Sequence, residues 1–282
     1  MLKISGSEIA QKIIERLKSG PAPKKILAAV LVGKDPASLG FIKQKEKTAK
    51  ELGIDFRLYE LNGALKNDEL RQEVGRIASQ KTVGGVIVQL PLPEHINKHY
   101  ILNVIPREKD IDVLGERALG AFYTGRNPVL PPAVGVVEEI LKAKSYKLKA
   151  NKVAVVGLGF LVGKPVAHWL MGKCQELYLL DINSDFSSPA GELKNADLVI
   201  TGVGISGLIK PEMLKDDASV IDFGYSLDEF GKIRGDLDTS KLEAKSYKLK
   251  AISYTPTPHG TGPILVAKLF ENFYKLNTDL CG

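Results

Sequence analysis

The apolar positions of this chain follow two alternating periods. Ser5-Gly-Ser-Glu8 has capping-box spacing, and Ile9, Ile13, Ile14 and Leu17 follow at helical period before Gly20, which predicts an opening helix. Lys25–Gly33 is a continuous apolar run of strand length, and Ala37–Leu52 a lysine-rich helical pattern that ends at Gly53. Ile54–Leu61 predicts a second strand, Asn67–Ser79 a helix and Gly85–Leu90 a third strand. Strands apolar on both faces and joined by helices predict a parallel sheet covered on each side. Gly115–Pro132, rich in Gly and Pro and without a clear period, reads as a link between domains. A helix over Val134–Lys144 leads into a second series: strand Lys152–Val156, helix Val162–Gly172, strand Glu176–Leu180, a helix near Ala190–Asn195, and strands Asp197–Val203 and Ala218–Phe223. This half reads as doubly wound. The loop Tyr254–Pro263 precedes a last helix, Ile264–Tyr274, expected to fold back on the first domain. The octapeptide AKSYKLKA occurs at Ala143–Ala150 and Ala244–Ala251, but the flanks differ and eight residues are too few for a structural repeat.

Composition narrows the class without changing the fold. The 282 residues are enough for about two domains, and 44% hydrophobic with 26% charged is a globular balance. The apolar runs fall far short of the ~20 residues a membrane helix needs, and the N-terminal stretch lacks the pattern of a signal peptide, so a cytoplasmic location and no membrane partner are expected. Only Cys174 and Cys281 occur, without metal-ligand spacing, so neither a disulfide framework nor a metal site is expected. The charge is +6, from 39 basic and 33 acidic residues, scattered and not interleaved with aromatics. That balance fits a solvated surface, or attraction of a small anion, and no nucleic acid.

The strongest local signal for chemistry is Val153-Ala-Val-Val-Gly157-Leu158-Gly159-Phe-Leu-Val162-Gly163, which places glycines where a strand gives way to a helix. Glycine there lets the backbone turn tightly and approach a pyrophosphate at the helix N-terminus. Val162 holds the third position of the usual GxGxxG, so the spacing departs from the standard. Asp181, at the end of the next predicted strand, stands near the usual distance for a carboxylate that accepts from ribose hydroxyls. Further glycines follow later strands, in Gly202-Val203-Gly204 and at Gly224, where an open α/β sheet binds its ligand. In the first half, Gln89 ends an apolar strand, and Lys109-Asp110-Ile-Asp112 reads on its own as a solvated loop. Lys45 sits among Lys43, Lys47 and Lys50, a pattern that by itself favours a solvated face. Of the four histidines, His259 alone occupies a plausible site loop.

In this order the pieces resemble the bifunctional methylenetetrahydrofolate dehydrogenase/methenyltetrahydrofolate cyclohydrolase family over essentially the whole chain. Val32-Gly-Lys-Asp-Pro-Ala-Ser38 leading to Lys45 resembles the family's VGxxxAS…YxxxK, and Val88-Gln-Leu-Pro-Leu-Pro93 its VQLPLP. Pro106–Asp112 resembles its PxKDVDG, and Thr255–Pro263 its TPVPGGVGP. The resemblance implies a folate domain over residues 1–130, completed by 263–282, and a Rossmann-like dinucleotide domain over 131–262. It implies oxidation of a tetrahydrofolate derivative, 5,10-methylenetetrahydrofolate, by a nicotinamide cofactor, then hydrolysis of the methenyl product to 10-formyltetrahydrofolate. It implies that Lys45 is the acid/base group, Gln89 its hydrogen-bond partner and Asp112 the pterin anchor, with Phe41, Pro258, His259 and Gly262 also at the substrate. A homodimer is implied as well.

Several positions depart from the family pattern. Phe41 replaces its tyrosine and cannot pass a proton, so hydrolysis is expected to be retained but slowed. Val113 replaces a glycine, Leu130–Gly135 differs from the PCTPxG linker, and Leu265 replaces a threonine. Leu158 stands where the family has an arginine, which with Asp181 favours NAD over NADP. Two other readings fit the coarse pattern: another two-domain NAD dehydrogenase of the shikimate dehydrogenase kind, or a folate- or dinucleotide-binding protein without catalysis. The Gln89-Leu-Pro-Leu-Pro and Lys109-Asp-Ile-Asp blocks favour folate, and retention of Lys45 favours catalysis.

Overall fold

The continuous apolar runs become central strands, because a segment hydrophobic on both faces is stable only between two layers. The computed structural model describes residues 2–184, 191–228, 230–240 and 253–278; Asp185, Cys281 and the second AKSYKLKA lie outside them. The elements are β1 (Leu2–Lys3), α1 (Gly6–Lys18), β2 (Ile26–Val32), α2 (Pro36–Glu51), β3 (Phe56–Leu61), α3 (Asn67–Ser79), β4 (Val83–Val88), α4 (Lys98–Leu102), α5 (Glu116–Tyr123) and α6 (Pro132–Ala143). They continue with β5 (Lys152–Val156), α7 (Gly163–Leu170), β6 (Glu176–Leu180), α8 (Glu192–Asn195), β7 (Leu198–Thr201), β8 (Ser219–Asp222), β9 (Ser226–Leu227), β10 (Ile233–Arg234), β11 (Ser253–Tyr254) and α9 (Thr261–Asn277). No helix among the described residues is long and apolar enough to cross a membrane.

The chain divides into two compact units. The first comprises Gln11–Pro132 with Val266–Gly282, and holds a parallel sheet in the order β3-β2-β4. Every residue of β2 and β4 is buried. The later part of α9 packs on this sheet: a Cβ on Gly85 of β4 would lie 2.7 Å from the Phe273 ring, so glycine sets how closely the helix approaches. Asn272 Nδ2 donates to the carbonyls of Ile111 and Leu130, both at 2.8 Å, and Asn277 Nδ2 to that of Gly84 at 3.0 Å. These bonds satisfy backbone acceptors that burial would otherwise leave unpaired. From Val266 on, the helix therefore belongs to the first unit, as the family resemblance implies.

The second unit comprises Met1–Ala10 with Ala133–Leu265, and its six-stranded parallel sheet runs β1-β11-β8-β7-β5-β6. Residues 1–10 sort here because β1 pairs with β11 and Gly6 seats directly on Gly260, with the Gly6 N–H donating to His259 O at 3.1 Å. The core on one face gathers Ala154, Val156, Leu180, Val199, Ile209, Val220 and Tyr254.

One segment departs from expectation. Gly115–Pro132 contains α5, which buries Ala118, Ala121 and Phe122. Its small residues conceal an inward face three and four residues apart.

Candidate active site

Lys45, Gln89, Asp112 and Phe41 belong to the first unit. Helix α2 buries Ser38, Ile42, Lys45 and Ala49, with Leu52 just beyond its end, a stripe spaced by three and four residues. Lys43, Lys47 and Lys50 are exposed, so the solvated-face reading holds for them and fails for Lys45, which is only 7% exposed. A buried ammonium needs a partner. Lys45 Nζ donates to Gln89 Oε1 at 2.7 Å. The Gln89 amide is held in that sense because its Nε2 donates to Leu90 O at 2.6 Å, while its backbone N–H extends the β4 ladder to Val30 O at 2.9 Å. Ser38 lies two turns before Lys45 on the same stripe, its hydroxyl buried without a hydrogen-bond partner. Phe41, one turn before Lys45, is partly buried.

The Asp110–Asp112 segment runs beside β4, with Asp110 bridged to Val86. It is not a solvated loop. Lys109 Nζ donates to Ala78 O at 2.7 Å and Gln80 O at 2.8 Å, which ties down the end of α3. Asp110 is 2% exposed and accepts from the N–H groups of Leu114 at 3.0 Å and Gly115 at 2.8 Å. It builds the turn that carries Asp112; burial pushes its carboxyl up to about 6. Within that turn Val113 is fully buried at φ +58°, a left-handed conformation costly for a branched side chain, at the position where the family pattern has glycine.

Burial lowers the Lys45 pKa from its ordinary value, and Asp112 opposes that shift; burial raises the pKa of Asp112, and Lys45 opposes it. The two groups therefore titrate as neighbours, and Lys45 is drawn toward the range where an amine can take up a proton. The pH profile of a reaction using the Lys45 amine as base should rise along a limb centred below the ordinary lysine value of about 10.4. Asp112→Asn removes the charge that holds the proton on Lys45, so that limb should move to lower pH. Rates measured against pH on both proteins check this, and a limb that stays put in the variant contradicts the coupling.

The second unit holds the glycine loops, Asp181, the loop 255–260 and the start of α9. Gly157 has φ +83°, and a Cβ on Gly163 would fall 1.8 Å from Gly157 O, so α7 can begin against the end of β5 only because glycine stands there. The same construction brings Val162 onto Gly202 and Val203 onto Gly157, uniting the loops after β5 and β7. Leu158, Gly159 and Gly204 lie on the outer side of these loops, partly or fully exposed. A cradle this shallow at a helix start fits a pyrophosphate. Asp181 directly follows β6, and its Oδ1 accepts from the Leu158 N–H at 3.4 Å, so its carboxylate reaches the glycine loop. Gly224, after β8, donates to Asp222 Oδ1 at 2.7 Å.

Pro258 and His259 are exposed on the loop 255–260, and Gly262 is exposed in the first turn of α9, which begins three residues earlier than the apolar period predicts. This segment is tied to β8: Thr261 Oγ1 donates to Asp222 O at 3.0 Å, and Asp222 N donates to Thr255 Oγ1 at 2.8 Å. His259 sits at φ +77°, again where the family pattern has glycine. No group of three or more His, Cys, Asp or Glu among the described residues could hold a metal ion.

Comparison with known proteins adds an independent line. Residues 4–112 match the model of the tetrahydrofolate dehydrogenase/cyclohydrolase catalytic domain, and residues 131–280 that of the corresponding NAD(P)-binding domain. The chain is 33% identical over 268 residues to the bifunctional protein FolD of Bacillus licheniformis, covering 95% of this chain and 91% of that one. It is similar to the solved bifunctional FolD of Campylobacter jejuni, with a TM-score of 0.88, 31% identity and 97% of each chain covered. The Trypanosoma brucei enzyme, solved with NADP and an inhibitor, matches with a TM-score of 0.88 and 26% identity over 98% of this chain and 96% of that one.

Proposed function

The chain belongs to the tetrahydrofolate dehydrogenase/cyclohydrolase family, and on that premise we propose which residues do its work. It is an enzyme that oxidises 5,10-methylenetetrahydrofolate to the methenyl compound and hydrolyses that to 10-formyltetrahydrofolate. In the reading put forward here, Asp112 anchors the pterin, Lys45 moves protons and Gln89 holds Lys45 in place, with Phe41 stacking on the ring. The family resemblance also assigns Pro258, His259 and Gly262 to substrate binding. In hydrolysis water adds to the methenyl carbon as Lys45 takes one of its protons; N5 then takes up a proton and its bond to that carbon breaks while the hydroxyl of the adduct gives up its own proton, leaving the formyl group on N10. The observation that carries this reading is the buried Lys45–Gln89 hydrogen bond, since a buried amine held by an uncharged amide oxygen is suited to give and take a proton.

The loop Gly157–Gly163 and Asp181 hold the dinucleotide, with Gly202, Val203, Gly204 and Gly224 bordering it. When bound, the nicotinamide accepts the hydride that leaves the methylene carbon. NAD is preferred over NADP because Leu158 and Asp181 offer a 2′-phosphate no cation. A homodimer in the cytoplasm is the arrangement that the family resemblance implies, and light scattering of the purified chain tests the dimer.

The experiment that tests the site assignment compares the two activities separately, methenyl formation with nicotinamide present and methenyl loss without it, on the parent and on Phe41→Tyr. A phenol placed beside Lys45 adds one hydrogen bond, about 0.5–1.5 kcal/mol net, or roughly two- to tenfold. The ratio of hydrolysis to oxidation should therefore rise in the variant within that range. An unchanged ratio removes position 41 from the hydrolytic step.

A further inference from the structure

We propose that Asp236, held in turn by Asp222, is the positioning residue of the dinucleotide site, although neither belongs to any of the glycine loops. This inference rests on reading the second unit as the nicotinamide domain. Asp236 has no exposed surface, and all its acceptor capacity goes to one turn. Its Oδ2 accepts from Thr201 Oγ1 and from the Val203 N–H, both at 2.7 Å, and its Oδ1 from the N–H groups of Gly204 at 2.8 Å and Ile205 at 2.9 Å. Three successive backbone N–H groups converging on one point form a nest that ordinarily attracts an anion. Here the anion is built in.

Asp222, 2% exposed, repeats the arrangement one strand over. It accepts from the N–H groups of Gly224 at 2.7 Å, Asp236 at 3.2 Å and Leu237 at 2.9 Å. Gly224 packs so closely on Asp236 that a Cβ there would stand 2.3 Å from Asp236 Oδ1. Two buried carboxylates thus fix the carboxyl ends of β7 and β8, where an open α/β sheet meets its ligand.

A consequence for the ligand follows. The N–H of Gly202 donates to Val156 O at 3.1 Å, and those of Val203, Gly204, Ile205 and Gly224 donate to the two aspartates. The N–H groups of residues 202–205 and of Gly224 are therefore already engaged and do not point to a phosphate. The pyrophosphate falls to the Gly157–Gly163 loop, and the loops after β7 and β8 serve the uncharged ribose and carboxamide half of the cofactor. Asp236 acts by shaping that surface.

The test uses Asp236→Asn in the full chain, because the amide keeps the size but turns donors toward the turn's own donors. Thr201→Val is the milder companion, since it removes one donor and leaves the loop N–H groups bonded. Binding of NADH and NADPH is followed by nucleotide fluorescence, and methenyl hydrolysis, which needs no nucleotide by its stoichiometry, reads the integrity of the first unit. Asp236→Asn should weaken nucleotide binding and raise its KM by about tenfold or more, and Thr201→Val by a few-fold, with hydrolysis within about twofold of the parent in both. Asp238→Asn, two residues further along the chain, should change neither. Nucleotide binding unchanged in Asp236→Asn, or binding and hydrolysis falling together in both variants, overturns the positioning role alone. A parent that binds neither nucleotide overturns the reading of the second unit, and this inference with it.

Discussion

Lys45→Met should lower hydrolysis of methenyltetrahydrofolate by ~10²–10⁴-fold, the usual loss when one general acid/base group is removed, while folate affinity changes little. Methionine is close to lysine in length, unbranched and apolar, so it suits a position on the buried stripe between Ile42 and Ala49. Its cost to the fold is one partner for Gln89 Oε1, about 1–3 kcal/mol, offset by no longer burying an ammonium. Binding is expected to survive because the anchoring group in this account is Asp112, which stays. Steady-state rates with methenyltetrahydrofolate, alongside equilibrium binding of the folate, separate the two effects. Hydrolysis at the parent rate would remove Lys45 from the chemistry, and a parallel loss of affinity would make it an anchor instead.

The second large effect concerns the cofactor: kcat/KM with NAD should exceed that with NADP by about tenfold to a hundredfold. A 2′-phosphate carries about −1.5 to −2 charges at neutral pH, and it would meet the carboxylate of Asp181 at the end of β6. That carboxylate is already drawn to the glycine loop through the Leu158 N–H. Two lysines nearby in sequence could in principle offset the repulsion. Lys173 is engaged, its Nζ 5.1 Å from the centre of the Trp169 ring, and Lys164 is exposed on the first turn of α7. One exposed lysine does not replace a fixed guanidinium that grips phosphate with two parallel bonds. Kinetics with both cofactors on the parent and on Asp181→Ser test this, and the variant should narrow the gap by admitting the phosphate. Equal or better use of NADP by the parent contradicts it.

The strands and most helices were legible because their periods are long and unbroken. β1 and β11 were not, since two residues carry no period and their pairing is made only in the folded sheet. Lys45 illustrates a signal present but overlooked. Counting lysines across α2 points to a solvated face, whereas following Ser38, Ile42, Ala49 and Leu52 at helical spacing puts residue 45 on the buried side. Lys109 and Asp110 look solvated in the sequence for a different reason. Their partners, the end of α3 and the turn at Leu114 and Gly115, are backbone groups, and backbone groups leave no mark in a sequence. Asp236 is hidden in the same way, because its work is done on N–H groups more than thirty residues away along the chain.

The measurement that bears most directly on the whole account is the absorbance of the methenyl compound after the parent enzyme is mixed with 5,10-methylenetetrahydrofolate and NAD, then with NADP. A rise is expected as methenyl forms, faster with NAD, followed by an enzyme-dependent decay as Lys45 acts in hydrolysis. Absence of any rise with either nucleotide, or a rise whose decay is no faster than without enzyme, would contradict it.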